Sequence, residues 1–374
     1  MTARAMVSDR QEAINVATQW QLMWWRFRKH RLAMTSLVIV ILIYLVALLA
    51  EFLAPFTPDE FQADYTYAPP QRLHLFLETE NGLRFQPWVY GYKVEIEEEA
   101  LRRVFVPDEE TIHEIGFFVS GVPVTLLGFL ETDRHLVGPK DPEAPMFLFG
   151  ADKLGRDMLT RMIYGTRISM SIGLVGVALS LILGILLGGL SGFLGGQVDN
   201  IIQRVIEFIR SVPTIPLWMG LAAALPTDWP PLRIYFGITV ILSFIGWTEL
   251  ARVVRGRFLA LRTEDFVIAA HLDGVGQMRI ILHHMVPSFL SHIIAALTLA
   301  IPNMILAETS LSFLGLGLRP PIVSWGVLLQ EAQNIRTVAT APWLFATGGA
   351  VFIAILALNF VGDGLRDAAD PYAR

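Results

Sequence analysis

Six apolar stretches divide this sequence, and each is about as long as the hydrocarbon core of a bilayer is thick. They cover residues 32–53, 168–193, 201–225, 232–254, 288–308 and 342–361. Since a helix rises about 1.5 Å per residue, about twenty apolar residues cross a membrane. Hydrophobic residues make up 53% of the 374 and charged residues only 17%, which excludes an ordinary soluble domain. The sequence therefore predicts an all-α polytopic membrane protein with six transmembrane helices.

Basic residues indicate which ends of these helices face the cytoplasm. Lysine and arginine are frequent in residues 1–31 and in the loop between spans four and five. Because cytoplasmic segments are enriched in both, we predict a cytoplasmic (inner) membrane protein with both termini in the cytoplasm. The first span starts after about thirty residues, so we expect a retained helix over 32–53 rather than a cleaved signal peptide. A basic cluster on the predicted outer side conflicts with this topology: Lys153, Arg156, Arg161 and Arg167.

Residues 55–150 differ in composition from the rest of the chain. They carry 17 Asp and Glu against 7 Lys and Arg, and this acidity argues against a nucleic-acid partner. Alternating runs such as PWVYGYKVEIE (87–97) are bounded by Gly and Pro, a pattern typical of strands. We predict a β-rich extracytoplasmic insertion between helices 1 and 2. A membrane-anchored enzyme would need its chemistry here, and the segment contains no catalytic motif.

Small residues recur at every fourth position of span two. The stripe consists of Gly176, Ser180, Gly184, Gly188 and Gly192. On a helix these positions form one face on which a neighbouring backbone can approach closely. Glycine tolerated at random in a membrane helix is the alternative, and we favour helix packing. In span three, Pro213 and Pro216 predict a kink or break.

The cytoplasmic segment FVIAAHLDGVGQMRIILHHMVPSF (266–289) is unlike the spans on either side of it. Thr263 can cap a first helix, Gly274 allows a sharp turn, and a second helix leads to Pro287 at the start of span five. One face of the first helix is predicted to carry Phe266, Ala269, Ala270 and Asp273. Such a bent pair of helices is either a docking surface for a partner or an interfacial linker. The residues alone leave both open.

Several motifs together resemble a known family. Ala269-Ala270, three residues, Gly274, twelve residues and Pro287 resemble the EAA loop of permease subunits in ATP-binding-cassette importers, with Ile268 where the family has glutamate. His284 lies where the family often has histidine. Three further segments resemble signatures of the C-type permease of the dipeptide/oligopeptide branch: FGADKLGRDMLTRMIYGTRISMSIG (149–173), AETSLSFLGLGLRPPIVSWGVLL (307–329) and LNFVGDGLRDAADP (358–371).

This resemblance implies the type I importer permease fold, with a conserved core over 151–374 and a coupling loop at 262–286. It implies half of a pore for dipeptides or oligopeptides, or alternatively oligosaccharides. The implied partners are a second permease in a heterodimer, two cytoplasmic ATPases, an extracytoplasmic solute-binding protein and the lipid bilayer. ATP-Mg is expected on the ATPases and no cofactor in this chain, which has no GxxxxGK[ST] phosphate loop. An ion-driven secondary transporter would have unpaired acids near mid-bilayer and related halves, and neither is evident.

Two clusters of polar residues suggest other chemistry. The segment before span two contains the family motif residues Gly150, Asp152, Gly155, Arg156 and Asp157. Its acids could form a catalytic carboxylate site, and we favour a structural ion-pair and capping cluster. Histidines at 271, 283, 284 and 292 suggest a metal site. Adjacent histidines point to different sides of a helix and the chain has no cysteine, so a metal site is not predicted. No catalytic residue is predicted either, because no motif supports a Ser-His-Asp or paired-acid arrangement.

Overall fold

Helices long enough to cross a membrane dominate the fold. The computed structural model describes residues 18–79, 82–97, 102–226 and 228–369, so the residues before 18 that contributed to the topology prediction lie outside it. In the described ranges, five helices are long and apolar enough to span a bilayer, and counting one bent helix pair as a span gives six. The helical polytopic class predicted from the sequence is confirmed, with five or six candidate spans.

The helices before the coupling loop are α1 (Gln19–Phe27), α2 (Arg31–Leu48), α3 (Ala50–Leu53), α4 (Met158–Leu194), α5 (Gly196–Ser211), α6 (Thr214–Ala223) and α7 (Pro231–Leu261). Those that follow are α8 (Asp265–Leu272), α9 (Gln277–Arg279), α10 (Val286–Ser288), α11 (Leu290–Phe313), α12 (Trp325–Glu331), α13 (Ile335–Thr340) and α14 (Ala346–Ala369). A π-helical segment, Ile280–Met285, joins α9 to α10. Short 3₁₀ turns cover Ala63–Tyr65 and Pro342–Phe345.

Several helix boundaries differ from the apolar stretches that predicted them. The first span, predicted over 32–53, ends at Leu48, and α3 is a separate turn of helix after it. Helix α4 begins at Met158, ten residues before the predicted 168. Its first turns contain polar side chains that are buried through hydrogen bonds, such as Arg161. A pattern based on hydropathy does not register a polar residue whose partner lies elsewhere in the chain.

The third predicted span is broken, as its prolines indicated. Helices α5 and α6 meet at 87°, and Val212 between them has an extended backbone. Pro213 has no N–H to continue the hydrogen-bond ladder and disfavours a helical conformation in the residue before it. The predicted break at this position is confirmed.

The insertion contains one antiparallel sheet of four strands in the order β1-β2-β3-β4. These are β1 (His74–Thr79), β2 (Gly82–Glu97), β3 (Arg102–Leu126) and β4 (Leu130–Pro139). Strands β3 and β4 pair from Ile115↔Pro139 to Leu126↔Leu130. A small core of Phe56, Val89, Ile115 and Met146 holds the sheet to the segments that flank it. The predicted β-rich insertion is thus a small antiparallel meander.

The chain divides into two compact units. One consists of the described residues up to Ile41, Ile172–Ala307 and Ile353 onward, and the other of Leu42–Ser171 and Glu308–Phe352. The first unit contains the glycine stripe and the coupling loop. The second contains the sheet and the motif that precedes α4.

Candidate functional site

Helix α8 of the coupling loop is packed into the core of its unit. Val267 and Ala270 on its inner face join a buried cluster with residues of α7, of the π-helical segment and of α11. The cluster consists of Leu250, Val254, Phe258, Val267, Ala270, Ile280, Ile281, Met285, Phe289 and Ile293. The coupling loop is therefore packed against the hydrophobic core of the unit and is not a loose connection between spans.

Gly274 ends α8 in a left-handed conformation with φ of 73°. The Gly274 N–H donates to His271 O at 3.1 Å and the Val275 N–H donates to Ala270 O at 3.1 Å, which is the pair of bonds of a Schellman motif. No atom lies within 4 Å of a Cβ built at Gly274, so glycine is favoured here by backbone conformation and not by space. The sharp turn expected at this residue is present.

The outward face of α8 differs from the one predicted. Ala270 is only 6% exposed and faces the core, so it is not on a surface with Ala269, Asp273 and Phe266, which are exposed. The predicted cap is also wrong: Glu264 occupies the N-cap position without a side-chain bond, and the Thr263 hydroxyl donates to Ala260 O. Thr263 lies one residue too early to reach the first free N–H groups of the helix.

Two apolar residues that were not predicted to be exposed lie on this outward face. Leu272 is 83% exposed and Ile268 is 47% exposed, next to the exposed Phe266 and Ala269. Helix α8 buries one apolar face and still exposes leucine, isoleucine and phenylalanine on the other. It is therefore apolar on all sides. That all-round apolar pattern was the signal in the sequence.

His283, His284 and Pro287 are exposed along the path from the π-helical segment into α11. His292 is on α11, and its side chain lies outside the described residues. Among the described side chains, no group of three or more His, Cys, Asp or Glu is arranged to hold a metal ion.

The glycine stripe of α4 lies against α7 and α11. A Cβ at Gly188 would lie 2.4 Å from Ala251 O, and one at Gly192 would lie 2.7 Å from Arg255 O. Gly184 faces the Leu250 side chain and Gly176 faces Met304. Polar bonds cross the same contact, because the Ser243 hydroxyl donates to Gly176 O at 3.0 Å and the Ser180 hydroxyl donates to Ser243 O at 3.2 Å. The stripe therefore packs closely against its neighbours over about four helical turns, and backbone meets backbone at Gly188 and Gly192.

A cleft of about 510 Å³ opens beside this contact. Its walls are largely alanine, leucine and valine, and a few polar groups reach it, among them Trp218, Glu249, Asn303 and Arg366. The Trp218 indole N–H is buried with no hydrogen-bond partner among the described residues. A carboxylate, a guanidinium and neutral donors on an apolar lining suit a flexible solute with amide groups and charged ends.

In the second unit, Asp152 is the centre of an ion-pair cluster. Its carboxylate accepts from Arg156 Nε at 2.6 Å and from the Leu154 N–H at 2.8 Å, and it also pairs with Arg161. Arg167 donates to Glu51 Oε2 at 2.6 Å. Three of the four basic residues that conflicted with the predicted topology are thus paired with acids, so they present little free positive charge.

Gly150 and Gly155 hold this turn in shape. Both have positive φ, of 75° and 74°. A Cβ at Gly155 would lie 1.9 Å from Gln62 O, and one at Gly150 would lie 2.5 Å from the Trp343 ring. Both positions therefore require glycine for backbone conformation and for space.

Asp157 precedes α4 and caps it. Its Oδ2 accepts from the Thr160 N–H at 2.7 Å, while its Oδ1 is buried without a hydrogen-bond partner among the described residues. Burial raises the pKa of the Asp157 carboxyl to about 7. With Asp152 held by two arginines and Asp157 capping a helix, the cluster has the geometry of a structural ion-pair and capping site.

Glu308 of α11 is a buried acid whose role the sequence reasoning missed. Its Oε1 accepts from Ser312 Oγ and from Ser324 Oγ, each at 2.8 Å, and its Oε2 accepts from Ser169 Oγ at 3.3 Å. Those serines accept in turn from backbone N–H groups of Leu318, Val327 and Trp325. One carboxylate therefore organises the chain between α11 and α12.

Family models match this sequence in two segments. Residues 180–374 match the model described as binding-protein-dependent transport system inner membrane component. The chain belongs to this family. Residues 18–70 match a second model, the N-terminal transmembrane domain of oligopeptide transport permease C. The permease is thus a member of a family of transport subunits of the inner membrane, and residues 71–179 lie between the two matched segments.

Curated relatives resemble the permease over most of its length. The oligopeptide transport system permease protein OppC of Salmonella typhimurium is 35% identical over 302 residues, which cover 76% of this chain and 96% of the relative. OppC of Bacillus subtilis is 35% identical, over 64% of this chain and 76% of the relative. The dipeptide transport system permease protein DppC of the same organism is 36% identical, over 70% and 77%.

Among solved structures, the MetNI methionine ABC transporter in an inward-facing conformation resembles the permease with a TM-score of 0.45 and 17% identity. The match covers 57% of this chain and 98% of the MetNI chain.

Proposed function

We propose that this permease is the membrane subunit of an ATP-binding-cassette importer that carries oligopeptides, with both termini in the cytoplasm. It pairs with a second permease, two cytoplasmic ATPases that bind ATP-Mg, and an extracytoplasmic solute-binding protein. The observation that carries this proposal is the 35% identity that extends over 96% of an oligopeptide permease, OppC of Salmonella typhimurium. The names of the relatives favour peptides over oligosaccharides.

The outward face of α8 supports docking of an ATPase in preference to a role as an interfacial linker. Its apolar residues Phe266, Ile268 and Leu272 are exposed, and the acids Asp265 and Asp273 are exposed beside them. An anionic membrane surface repels acids, so a lipid-bound helix would carry Lys or Arg at these positions. An apolar patch with a polar rim is the usual composition of a protein interface.

The cleft beside α7 and α11 supports a role in the translocation path. Peptides differ in side chains and share amide groups, an amino terminus and a carboxyl terminus. A largely apolar lining that also includes Arg366 and Glu249, which pairs with Arg210 at 3.4 Å, accommodates these shared groups without selecting a side chain.

The coupling part of the proposal is tested with Leu272→Glu in the complete importer. A charge in place of an exposed apolar anchor should weaken ATPase binding about tenfold or more, measured as ATPase recovered with the tagged permease. Phe61→Glu is the matched control, because Phe61 is also an exposed apolar residue, at 65%, and lies in the other unit. Equal ATPase recovery from both variants would contradict docking at α8.

Substrate class is tested separately, by native mass spectrometry of the gently extracted importer. The binding protein should carry peptide masses, and ATP-dependent uptake into vesicles should be inhibited by peptides and not by oligosaccharides. A sugar mass on the binding protein would overturn the peptide assignment and leave the permease assignment in place.

A further inference from the structure

The acidic insertion contains one long stretch without any charge. IGFFVSGVPVTLLGFL, residues 115–130, is uncharged over its whole length, although the surrounding segment is rich in aspartate and glutamate. It forms the second half of β3, the turn and the first residue of β4. We call residues 115–135 the β3–β4 hairpin. Neither matched family segment includes it.

Apolar side chains of this hairpin are exposed. Phe129 at the turn is 78% exposed and Phe118 is 60% exposed. Leu127, Leu130 and Val122 are exposed as well. A hairpin in water protects such a surface with charged residues, and contiguous exposed apolar surface marks an interaction site. The hairpin therefore has the composition of a surface that contacts either lipid or another protein.

The turn keeps a leucine where the backbone favours a different residue. Leu127 and Gly128 both have positive φ, of 56° and 81°, and the Phe129 N–H donates to Leu126 O across the turn. Turns of this kind favour Asn-Gly or Asp-Gly, because a left-handed conformation costs other residues about 1–2 kcal/mol. Leu127 therefore occupies a position whose backbone conformation favours Asn, Asp or Gly, at a cost in conformational energy.

The base of the hairpin is fixed where α2 leaves its membrane span. The Phe118 ring lies 6.0 Å from the ring of Phe52 in α3, which directly follows α2. The His135 ring bridges two segments, because Nδ1 lies 2.7 Å from Ala54 O and Nε2 lies 3.0 Å from Val122 O. Leu130 is five residues from His135 along β4, so Leu130 lies within about 17 Å of this anchor.

An apolar path thus leads from the span to the tip. Leu45 and Leu48 in the last turns of α2 are exposed, as expected for a helix surface that faces lipid. Phe52 and Phe118 follow, and then the uncharged hairpin. Continuity with α2 favours lipid as the partner of this surface, because lipid adjoins α2 and needs only apolar side chains at interface depth. The exposed charged residues Glu131, Asp133 and Arg134 lie between the tip and the His135 anchor.

We propose that the tip of the β3–β4 hairpin, Leu127, Phe129 and Leu130, inserts into the interfacial layer of the bilayer beside α2. The insertion is then held at the membrane surface at two points, through α3 at its base and through lipid at its tip. This proposal requires that α2 spans the membrane, and it does not depend on the transported substrate.

The test uses the natural absence of cysteine in this chain. A single cysteine, Phe129→Cys, is labelled with an environment-sensitive fluorophore, and the full-length permease is reconstituted into phosphatidylcholine/phosphatidylglycerol vesicles. Glu110→Cys is the control, because Glu110 is an exposed residue of β3 outside the uncharged stretch. We expect lipids with a nitroxide near the headgroup to quench the label at 129 and not the label at 110. Aqueous iodide should quench the label at 129 several-fold less.

Two outcomes would overturn the proposal. Iodide quenching as strong at 129 as at 110 would place the tip in water. Protection at 129 from both iodide and lipid nitroxides would show that protein covers it. A second label at Leu130→Cys guards against a local effect of one substitution, and it should agree with the label at 129.

Discussion

Close contact between backbones leaves no room for a larger side chain at individual glycines of the α4 stripe. At Gly188 an added methyl group would lie 2.4 Å from Ala251 O, so Gly188→Ala has to push α4 away from α7. We expect a loss of about 1–3 kcal/mol of stability, the usual range for overpacking. Thermal unfolding of the purified permease in mild detergent measures it.

Gly256 in α7 provides the matched control. A Cβ built there meets no atom within 4 Å, and alanine is the better helix former by about 1 kcal/mol. Gly256→Ala should therefore leave stability unchanged or raise it. If both alanine variants lowered the unfolding temperature equally, close packing would not be the reason for the stripe.

Asp157 predicts a dependence of stability on pH. Burial raises the pKa of its carboxyl to about 7, above the value of about 3.9 in an unfolded chain. Between these two values the folded state retains a proton that the unfolded state has lost, so this residue lowers stability as pH rises from about 4 to about 7. Asp157→Asn keeps an oxygen for the Thr160 N–H and removes the titration.

The measurement is the unfolding temperature of both proteins across that pH range. The advantage of Asp157→Asn over the natural protein should grow up to about pH 7 and stay constant above it. A difference that does not change with pH would contradict a neutral, buried Asp157.

Helix α8 shows what single residues of the sequence could and could not reveal. Gly274 was predicted to turn the chain, because glycine alone adopts the left-handed conformation freely. Ala269 and Ala270 are identical side chains, and only the packing of the folded unit shows that Ala270 faces inward. Leu272 was missed because an apolar residue in an apolar sequence is not conspicuous until its exposure is known.

At the scale of elements, Glu308 joins α11 to the segment that leads into α12. Glu308→Ala would leave Ser169, Ser312 and Ser324 without their acceptor in a buried site. We expect a loss of about 3 kcal/mol or more, since each buried polar group without a partner costs about 1–3 kcal/mol. Unfolding temperature in detergent, and protease cleavage between Leu314 and Ser324, would report it.

Glu308→Gln distinguishes hydrogen bonding from charge. Its Oε1 can still accept from Ser312 and Ser324, and its amide can donate to Ser169, so we expect a far smaller loss than for alanine. Comparable losses in both variants would show that the negative charge, and not the hydrogen-bond set, is required.

Element boundaries depended on contacts that no local pattern contains. The existence of the spans followed from their length, and the break between α5 and α6 followed from Pro213. The early start of α4 did not follow, because Arg161 and Arg167 read as polar loop residues until their partners Asp152 and Glu51 are known. An ion pair allows a charged residue to be buried inside a helix, so a hydropathy window alone places the start of that helix too late.

At the scale of the whole molecule, the predicted topology can be tested by single-cysteine labelling. Glu110→Cys in the insertion should react with a membrane-impermeant maleimide in intact cells, and Glu264→Cys before α8 should react only after permeabilisation. Both side chains are exposed, so burial does not account for a difference. Reaction of Glu264→Cys in intact cells would reverse the orientation.

The packing of α8 has a mechanical consequence. Its inner face shares one buried cluster with α7 and α11, its end is locked by two backbone hydrogen bonds, and protein interiors are nearly incompressible. A force applied at Leu272 is therefore expected to move α8 together with the residues packed against it and not to bend the loop. Under the proposed docking, a displacement of this helix by a few ångströms would be passed to the ends of α7 and α11 that adjoin the loop, with little lost to bending of the loop itself.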